Sequence, residues 1–241
     1  KATLMTETAV ILAGGFGTRL QSVVSNLPKP MAPINDEPFL SYQFKYLKHF
    51  GIKKIILSIG YLSDKIQDYY KNSFEGIQIS YVIEKEPLGT GGGIRLAMEQ
   101  CEENHALALN GDSFFDINLR SFFLLHAKKK SFISLALRQI DDSSRYGTII
   151  TDETNTILSF KEKSDMRKPG TINAGIYILN KNFYLKHSPP LTNFSIEKDF
   201  FEKQIDQFNM SGFKFEGYFI DIGLPEDYDK AQNDFKEFKY R

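Results

Sequence analysis

The sequence has no net charge, only one cysteine and no long apolar run. Its 30 Lys and Arg balance 30 Asp and Glu over 241 residues. This balance argues against a nucleic-acid-binding protein, which usually carries an excess of basic residues. It also argues against a disordered chain, which combines high net charge with low hydrophobicity. Cys101 cannot form an internal disulfide, which is typical of a protein in a reducing cytoplasm.

The distribution of apolar residues also shows no targeting or membrane-spanning segment. The first apolar run, residues 8–13, is too short for a signal-peptide core and far short of the about 20 residues that cross a bilayer. The four residues before Met5 are interpreted as a remnant outside the natural sequence. No repeat or polar linker divides the rest, so we expect one domain over residues 1–241 with two lobes, 5–138 and 139–241. Neither a membrane nor a nucleic acid is expected as a partner.

Apolar runs and amphipathic segments alternate along the first lobe. The predicted strands are 8–13, 53–59, 77–83, 105–110 and 132–138, and the predicted helices are 38–50, 63–71, a segment from about 93 to 101, and 119–130. In the second lobe we predict extended segments at 147–151, 156–161, 172–179 and 213–222, and helices at 195–208 and 225–238. The alternation in the first lobe predicts an α/β fold with a Rossmann-like, doubly wound, mixed and mainly parallel sheet.

A glycine-rich loop follows the first predicted strand, at the sheet edge where α/β proteins bind ligands. Residues 12–20 read LAGGFGTRL, and glycines in such a loop let backbone N–H groups approach phosphate oxygens. A Walker A motif is absent, and the dinucleotide fingerprint fails because Leu20 stands at the third glycine. A plain tight turn is the alternative interpretation. Ten residues after Arg19, the sequence PKPM holds Lys29 between two prolines that restrict the backbone.

Two aspartates lie at the ends of separate extended segments. Asp112 follows Asn110 and Gly111, and Asp221 ends a later segment. An isolated aspartate after a glycine is usually a turn residue. Two carboxylates that separate strands bring to one crevice are suited to Mg²⁺, which binds one or two carboxylates together with substrate phosphates. The four histidines are scattered and there is no second cysteine, which argues against a zinc site.

Taken together, LAGGxGTRL and PKPM resemble the signature of the sugar-1-phosphate nucleotidyltransferases, and the resemblance continues almost to the C-terminus. It implies that Arg19 and Lys29 neutralise phosphates and that Asp112 and Asp221 bind Mg²⁺, so these four residues are the predicted catalytic set. The sugar phosphate would attack the α-phosphorus of a nucleoside triphosphate and displace pyrophosphate. Because a phosphate oxygen is already anionic, positioning and electrostatic stabilisation suffice and no general base is needed.

The same resemblance implies where the nucleotide binds. The predicted nucleotide-binding residues are Leu12, Gly14, Gly15, Gly17, Thr18, Arg19, Glu84, Pro87, Gly89, Thr90 and Gly111. Family members that use pyrimidines often have glutamine at the position of Glu84. A carboxylate only accepts hydrogen bonds, and guanine presents two adjacent donors, so GTP is the predicted nucleotide. The alternative is that Glu84 is a charge at the rim and that backbone contacts set the specificity.

The second lobe is expected to bind the sugar. In the family, Y-G, E-K and N-A-G elements line the sugar pocket. We carry these elements over to this sequence and add Asn110, which ends the fourth predicted strand. The predicted sugar-binding residues are then Asn110, Tyr146, Gly147, Glu162, Lys163, Asn173 and Gly175. In this interpretation Glu162 and Asn173 bond sugar hydroxyls, and Lys163 pairs with the sugar phosphate.

Within the family, the resemblance is greatest to enzymes that guanylylate D-glycero-D-manno-heptose 1-phosphate for bacterial surface glycans, such as lipopolysaccharide or capsule. Gly93 departs from the usual alanine and Ser113 from the usual threonine. A mannose-1-phosphate guanylyltransferase and a UTP- or dTTP-using hexose enzyme are alternatives. An NAD-dependent oxidoreductase and a non-catalytic nucleotide sensor are less favoured. A cytoplasmic location is expected, without a β-helix domain. Family members are commonly oligomeric, so a homo-oligomer such as a dimer is an open alternative to a monomer.

Overall fold

The computed structural model describes residues 5–15, 20, 23–161 and 166–240. The strands are β1 (Thr8–Leu12), β2 (Pro33–Ile34), β3 (Glu37–Pro38), β4 (Lys54–Ile59), β5 (Ser73–Phe74), β6 (Ile77–Ile83), β7 (His105–Asn110), β8 (Ser113–Phe115), β9 (Ile133–Ile140), β10 (Thr148–Thr151), β11 (Ile157–Lys161), β12 (Gly170–Asn180), β13 (Met210–Lys214) and β14 (Phe219–Asp221). The α-helices are α1 (Phe39–His49), α2 (Ser63–Tyr70), α3 (Gly89–Glu99), α4 (Leu119–Lys129), α5 (Lys181–His187), α6 (Glu202–Gln204) and α7 (Pro225–Asp234). The turns Lys29–Met31 and Phe235–Glu237 are 3₁₀-helical, and Ile196–Phe201 is π-helical. Within these ranges no helix is long and apolar enough to cross a bilayer.

One large mixed sheet organises the fold. Its strand order is β11-β10-β12-β7-β1-β4-β6-β5, and β9 pairs with both β12 and β13. The neighbours β7, β1, β4 and β6 are parallel, as the alternation of strands and helices predicts. From the second half of the chain, β12 enters antiparallel between β7 and β9. The predicted α/β fold with a mixed, mainly parallel sheet is therefore confirmed.

Apolar side chains cover both faces of this sheet. In β1, Ala9 and Ile11 join one buried cluster, whereas Val10 between them joins the cluster on the other face. Residues of α1, α4 and α7 pack in the first cluster, and residues of α3 and α5 pack in the second. A strand that is buried on both faces reads as an unbroken apolar run, which explains why β1, β4 and β7 could be recognised in the sequence.

Two segments of the second lobe differ from the sequence prediction. The single helix predicted over 195–208 is a π-helical turn followed by the short α6, although Ser195 does cap it by accepting the N–H of Lys198 at 3.3 Å. The extended segment predicted over 213–222 is two strands, because β13 pairs with β9 while β14 leaves to pair with β8. The break falls near Gly217, where any side chain would overlap the backbone of Asp116. The split of the extended segment therefore arises from pairing with two different distant strands.

A buried histidine lies under α4. His126 is 5% exposed, and its Nδ1 lies 2.7 Å from the hydroxyl oxygen of Ser134. The ring of His105 meets it edge-on, with 5.2 Å between the ring centroids. Burial, and to a smaller extent the charge of His105, lower the pKa of His126 to about 4. The folded protein therefore holds this side chain neutral.

We expect the protein to lose stability in mild acid through His126. In the unfolded chain the imidazole binds a proton below about pH 6.5, whereas the folded state resists protonation until about pH 4, so stability is complete above this window and falls within it. Urea unfolding should show about 2 kcal/mol less stability from this residue at about pH 5 than at about pH 7.5. In His126→Gln the pH dependence should be shallower than in wild type, and in the control His49→Gln, at an exposed position, it should not. Equal slopes in all three proteins would contradict the assignment.

Candidate active site

The carboxyl ends of the parallel strands meet at one edge of the sheet. Leu12 of β1 pairs with both Ser58 of β4 and Asn110 of β7, so the loops that follow these strands start side by side. A cavity of about 410 Å³ opens there, here called the edge cavity. Its lining includes the predicted nucleotide-binding residues Leu12, Gly14, Gly15, Glu84, Pro87, Gly89, Thr90 and Gly111. The sheet thus brings together loops that are far apart in sequence.

Several predicted residues fall outside the described part of the chain. They are Gly17, Thr18 and Arg19 in the glycine-rich loop and Glu162 and Lys163 in the second lobe. Their roles stay predictions.

Lys29 lies between the two predicted metal ligands. Its Nζ is 2.7 Å from Oδ2 of Asp112 and 3.3 Å from Oδ1 of Asp221, and its side chain is only 10% exposed. The two aspartates meet because β8 and β14 pair antiparallel, and the N–H of Ile222 donates to the carbonyl of Asp112 at 3.0 Å. Burial and the negative charge of Asp112 raise the pKa of Asp221, and Lys29 partly offsets this rise.

The Asp112–Asp221 pair fits a magnesium ion. Within the described ranges no group of three or more His, Cys, Asp or Glu is placed to hold a metal. Mg²⁺, however, typically takes one or two carboxylates and completes its shell with water and phosphate oxygens. The two carboxylates already share one cation, the ammonium of Lys29. A Cβ at Gly223 would lie 2.9 Å from both Asp221 Oδ1 and Lys29 Nζ, so glycine keeps this space open.

Glu84 projects into the edge cavity from the end of β6. Its Oε1 accepts the hydroxyl of Ser58 at 2.7 Å, and its Oε2 accepts the N–H of Leu88 at 3.1 Å. A Cβ at Gly14 or at Gly93 would lie 2.9 Å from Oε1. Glycine at position 93 therefore makes room for this carboxylate. Since a carboxylate has about four acceptor sites, the fixed Glu84 keeps acceptors for a ligand.

The glycines that begin α3 pack against a distant segment, residues 192–196. The N–H of Gly91 donates to the carbonyl of Phe194 at 2.9 Å, and a side chain at position 91 would overlap the Phe194 ring. In the same segment, Asn193 donates to the carbonyl of Pro87 at 2.8 Å and lines the edge cavity. Sequence reasoning missed Asn193, because no local motif marks it and only the tertiary contact brings it to the site.

A second cavity of about 300 Å³ lies in the second lobe, here called the lobe cavity. Three predicted sugar-binding residues line it, namely Tyr146, Gly147 and Asn173. Burial, followed by the charge of Asp221, raises the pKa of Tyr146 to about 12, so its hydroxyl stays protonated. The cavity therefore offers a neutral phenol near the carboxylates.

Two predicted sugar-binding residues lie elsewhere. Asn110 lines the edge cavity, and Gly175 packs beside it. Gly175 has φ +76°, which favours glycine, and a Cβ there would lie 2.7 Å from Nδ2 of Asn110. The conformation and packing of the backbone account for this glycine without a ligand.

Comparison with known proteins identifies the family. A model of the nucleotidyl transferase family matches residues 8–237. The chain belongs to the nucleotidyl transferase family. It is 46% identical to a D-glycero-alpha-D-manno-heptose 1-phosphate guanylyltransferase of Aneurinibacillus thermoaerophilus, over 95% of this chain and 99% of the relative. A Campylobacter jejuni protein of the same name is 47% identical over 91% and 96% of the two chains. A mannose-1-phosphate guanylyltransferase of Mycobacterium tuberculosis is more distant, at 31% identity over 94% of this chain and 64% of the relative.

Solved structures agree with this assignment. HddC from Yersinia pseudotuberculosis is 38% identical, covers 95% of this chain and 99% of its own, and superposes with a TM-score of 0.84. The same protein has been solved in complex with GMP-PN, with a TM-score of 0.82. A Bacillus anthracis protein solved in complex with sucrose is 20% identical with a TM-score of 0.83, and shows the fold alone. The predicted family and enzyme class are confirmed: this nucleotidyl transferase has close homologues that are heptose 1-phosphate guanylyltransferases.

Proposed function

We propose that this enzyme transfers the guanylyl group of GTP to D-glycero-alpha-D-manno-heptose 1-phosphate, releasing pyrophosphate and GDP-heptose for surface-glycan synthesis. The observation that carries the proposal is the edge cavity, in which Glu84, Lys29 and Asp112 line one space of about 410 Å³. The choice of substrates is supported by the two relatives at 46% and 47% identity, which are named for this heptose. The relative named for mannose is only 31% identical.

In this proposal the residues of the edge cavity bind, orient and neutralise the triphosphate. Backbone N–H groups of the glycine-rich loop, with Arg19, contact the phosphates, and the ammonium of Lys29 stabilises the negative charge that moves to the leaving pyrophosphate. Asp112 and Asp221 would hold Mg²⁺, which supplies positive charge at the phosphate oxygens when it is bound. Glu84 accepts hydrogen bonds from guanine through the acceptors that Ser58 and Leu88 leave open.

We further propose the division of work between the lobes. Residues 5–138 would bind the nucleotide, while residues 139–241 would bind the sugar and supply the second metal ligand, Asp221. Tyr146 and Gly147 would contact the sugar, Glu162 would accept hydrogen bonds from its hydroxyls, and Lys163 would pair with its phosphate. A homo-oligomer such as a dimer stays an open alternative to a monomer. A cytoplasmic location stays a prediction, which the single thiol of Cys101 supports.

The test is pyrophosphate release from a panel of substrates. GTP, UTP, dTTP, ATP and CTP are each combined with the heptose 1-phosphate, mannose 1-phosphate and glucose 1-phosphate. We expect GTP with the heptose to be fastest by about tenfold or more, because an analogue leaves polar groups of the site unpaired. The control omits the sugar phosphate and measures nucleotide hydrolysis.

Three outcomes of this panel would contradict the proposal in different ways. A preference for UTP or dTTP would refute the role of Glu84. Equal use of mannose and heptose would refute the sugar assignment. No release with any pair would reject the transferase reaction as a whole.

A further inference from the structure

The lobe cavity contains a carboxylate that the sequence did not predict. Glu197 lines it together with Tyr146, Gly147 and Asn173. It belongs to the π-helical turn, 24 residues after Asn173 in the chain, and no family motif quoted above includes it. The cavity therefore has an acceptor beyond the predicted sugar-binding residues.

The amide of Asn173 makes hydrogen bonds within the protein through both its oxygen and its nitrogen. Its Oδ1 accepts the N–H of Gly175 at 3.0 Å, and its Nδ2 donates to the hydroxyl of Tyr177 at 2.8 Å. The same Nδ2 donates to Oε1 of Glu197. Since an amide has only two N–H donors, both are used. Asn173 therefore orients the carboxylate beside it, while its Oδ1 keeps one lone pair, so its predicted role of bonding sugar hydroxyls stays a prediction.

The chain presents Glu197 from a firmly anchored element. On either side of it, Ile196 and Phe200 are 1% and 0% exposed, and the N–H of Ile196 donates to the hydroxyl of Thr90 at 2.9 Å. The Glu197 side chain itself is exposed towards the cavity. A functional group on a packed element keeps its geometry better than one on a free loop. Four residues earlier, Asn193 lines the edge cavity, so one segment reaches both cavities.

We propose that Glu197 accepts hydrogen bonds from hydroxyl groups of the sugar 1-phosphate and determines which sugars are accepted. The inference rests on the proposed function. A carboxylate only accepts hydrogen bonds and has about four acceptor sites, of which Asn173 uses one, so it suits a polyhydroxylated ring that presents O–H donors. Hydrogen bonds to a charged group are stronger than neutral ones, which gives this contact weight in selecting the sugar.

The test compares Glu197→Gln and Glu197→Ala with wild type in steady-state kinetics. We expect the KM for the sugar 1-phosphate to rise about tenfold in Glu197→Gln and up to about a hundredfold in Glu197→Ala, while the KM for GTP stays the same. Glu153→Gln removes the same charge at an exposed position and should leave both constants unchanged. Thermal melting of each variant shows whether the fold is intact.

Deoxy analogues of the sugar 1-phosphate make the test specific. In wild type, removing the hydroxyl that contacts Glu197 should raise KM, and in Glu197→Ala the same removal should have almost no further effect. An active wild-type enzyme together with an unchanged sugar KM in both variants would overturn this inference and leave the proposed function standing. Additive losses for every analogue would also overturn it. A wild-type enzyme without pyrophosphate release would reject the proposed function instead.

Discussion

Asp221→Asn should reduce pyrophosphate release by about two to three orders of magnitude without lowering the melting temperature. The loss is expected because a neutral amide is a poor Mg²⁺ ligand and one of the two proposed carboxylate ligands is removed. Stability is expected to hold because the asparagine oxygen can still accept the N–H of Gly223, which the aspartate accepts at 2.8 Å. The substitution also removes the repulsion between the carboxylates of Asp112 and Asp221, which contributes to the raised pKa of Asp221. An end-point or coupled pyrophosphate assay measures the rate, and a thermal melt separately measures the stability.

Asp112→Asn should show the same loss of turnover. Removing divalent cations from the wild-type enzyme with EDTA should cause a similar loss. Asp206→Asn is the matched control, because this aspartate is exposed and lines neither cavity. Rates within a factor of about two of wild type in either site variant would refute the metal role. A melting temperature far below that of wild type in either site variant would indicate a structural role for these aspartates instead.

Lys29→Met should lose turnover by about a hundredfold or more and should also respond differently to magnesium. In the wild type, Nζ lies 2.7 Å from Asp112 and 3.3 Å from Asp221 and so occupies the space between the carboxylates. Without the ammonium, two partly buried like charges face each other, and the folded state is destabilised. A divalent cation then relieves this repulsion. Added Mg²⁺ should therefore raise the melting temperature of Lys29→Met more than that of wild type, without any nucleotide.

The control for this prediction is Lys65→Met, at an exposed position on α2. It should match wild type in rate and in its response to Mg²⁺. If Mg²⁺ shifts the melting temperatures of Lys29→Met and wild type equally, then the ammonium of Lys29 does not occupy the space where the cation binds between the two carboxylates. If Lys29→Met keeps full turnover, its role in neutralising the phosphates is wrong.

The first lobe could be predicted in detail because its signals are local. Strands buried on both faces, such as β1 and β7, leave apolar runs in the sequence, and glycine follows where the chain turns at the sheet edge. For the same reason Asp112 could be recognised, since it follows β7 by two residues. Glu84 follows β6 in the same way. The parallel sheet then brings these positions to one edge without further information.

The second lobe was harder to predict from the sequence, because its geometry depends on contacts with segments that are distant in the chain. The strand β14 has three residues, and only its pairing with β8 brings Asp221 beside Asp112. The segment 192–196 lies against α3 through contacts of Phe194 with Gly91, which no periodicity reveals. Asn193 and Glu197 therefore reach the cavities without a sequence signal.

The sequence alone determined the fold class, the family, the glycine-rich loop and the charged residues expected to meet phosphates. The fold class follows from the alternation of strands and helices, whereas the family and the roles of the charged residues follow from the resemblance of LAGGxGTRL and PKPM to a known signature. Only the tertiary structure decided that Lys29 lies between the two aspartates, that Gly93 makes room for Glu84, and that Asn173 holds Glu197. Each of these depends on distances between side chains from separate elements. Such distances are set by strand pairing and core packing, which act over the whole chain.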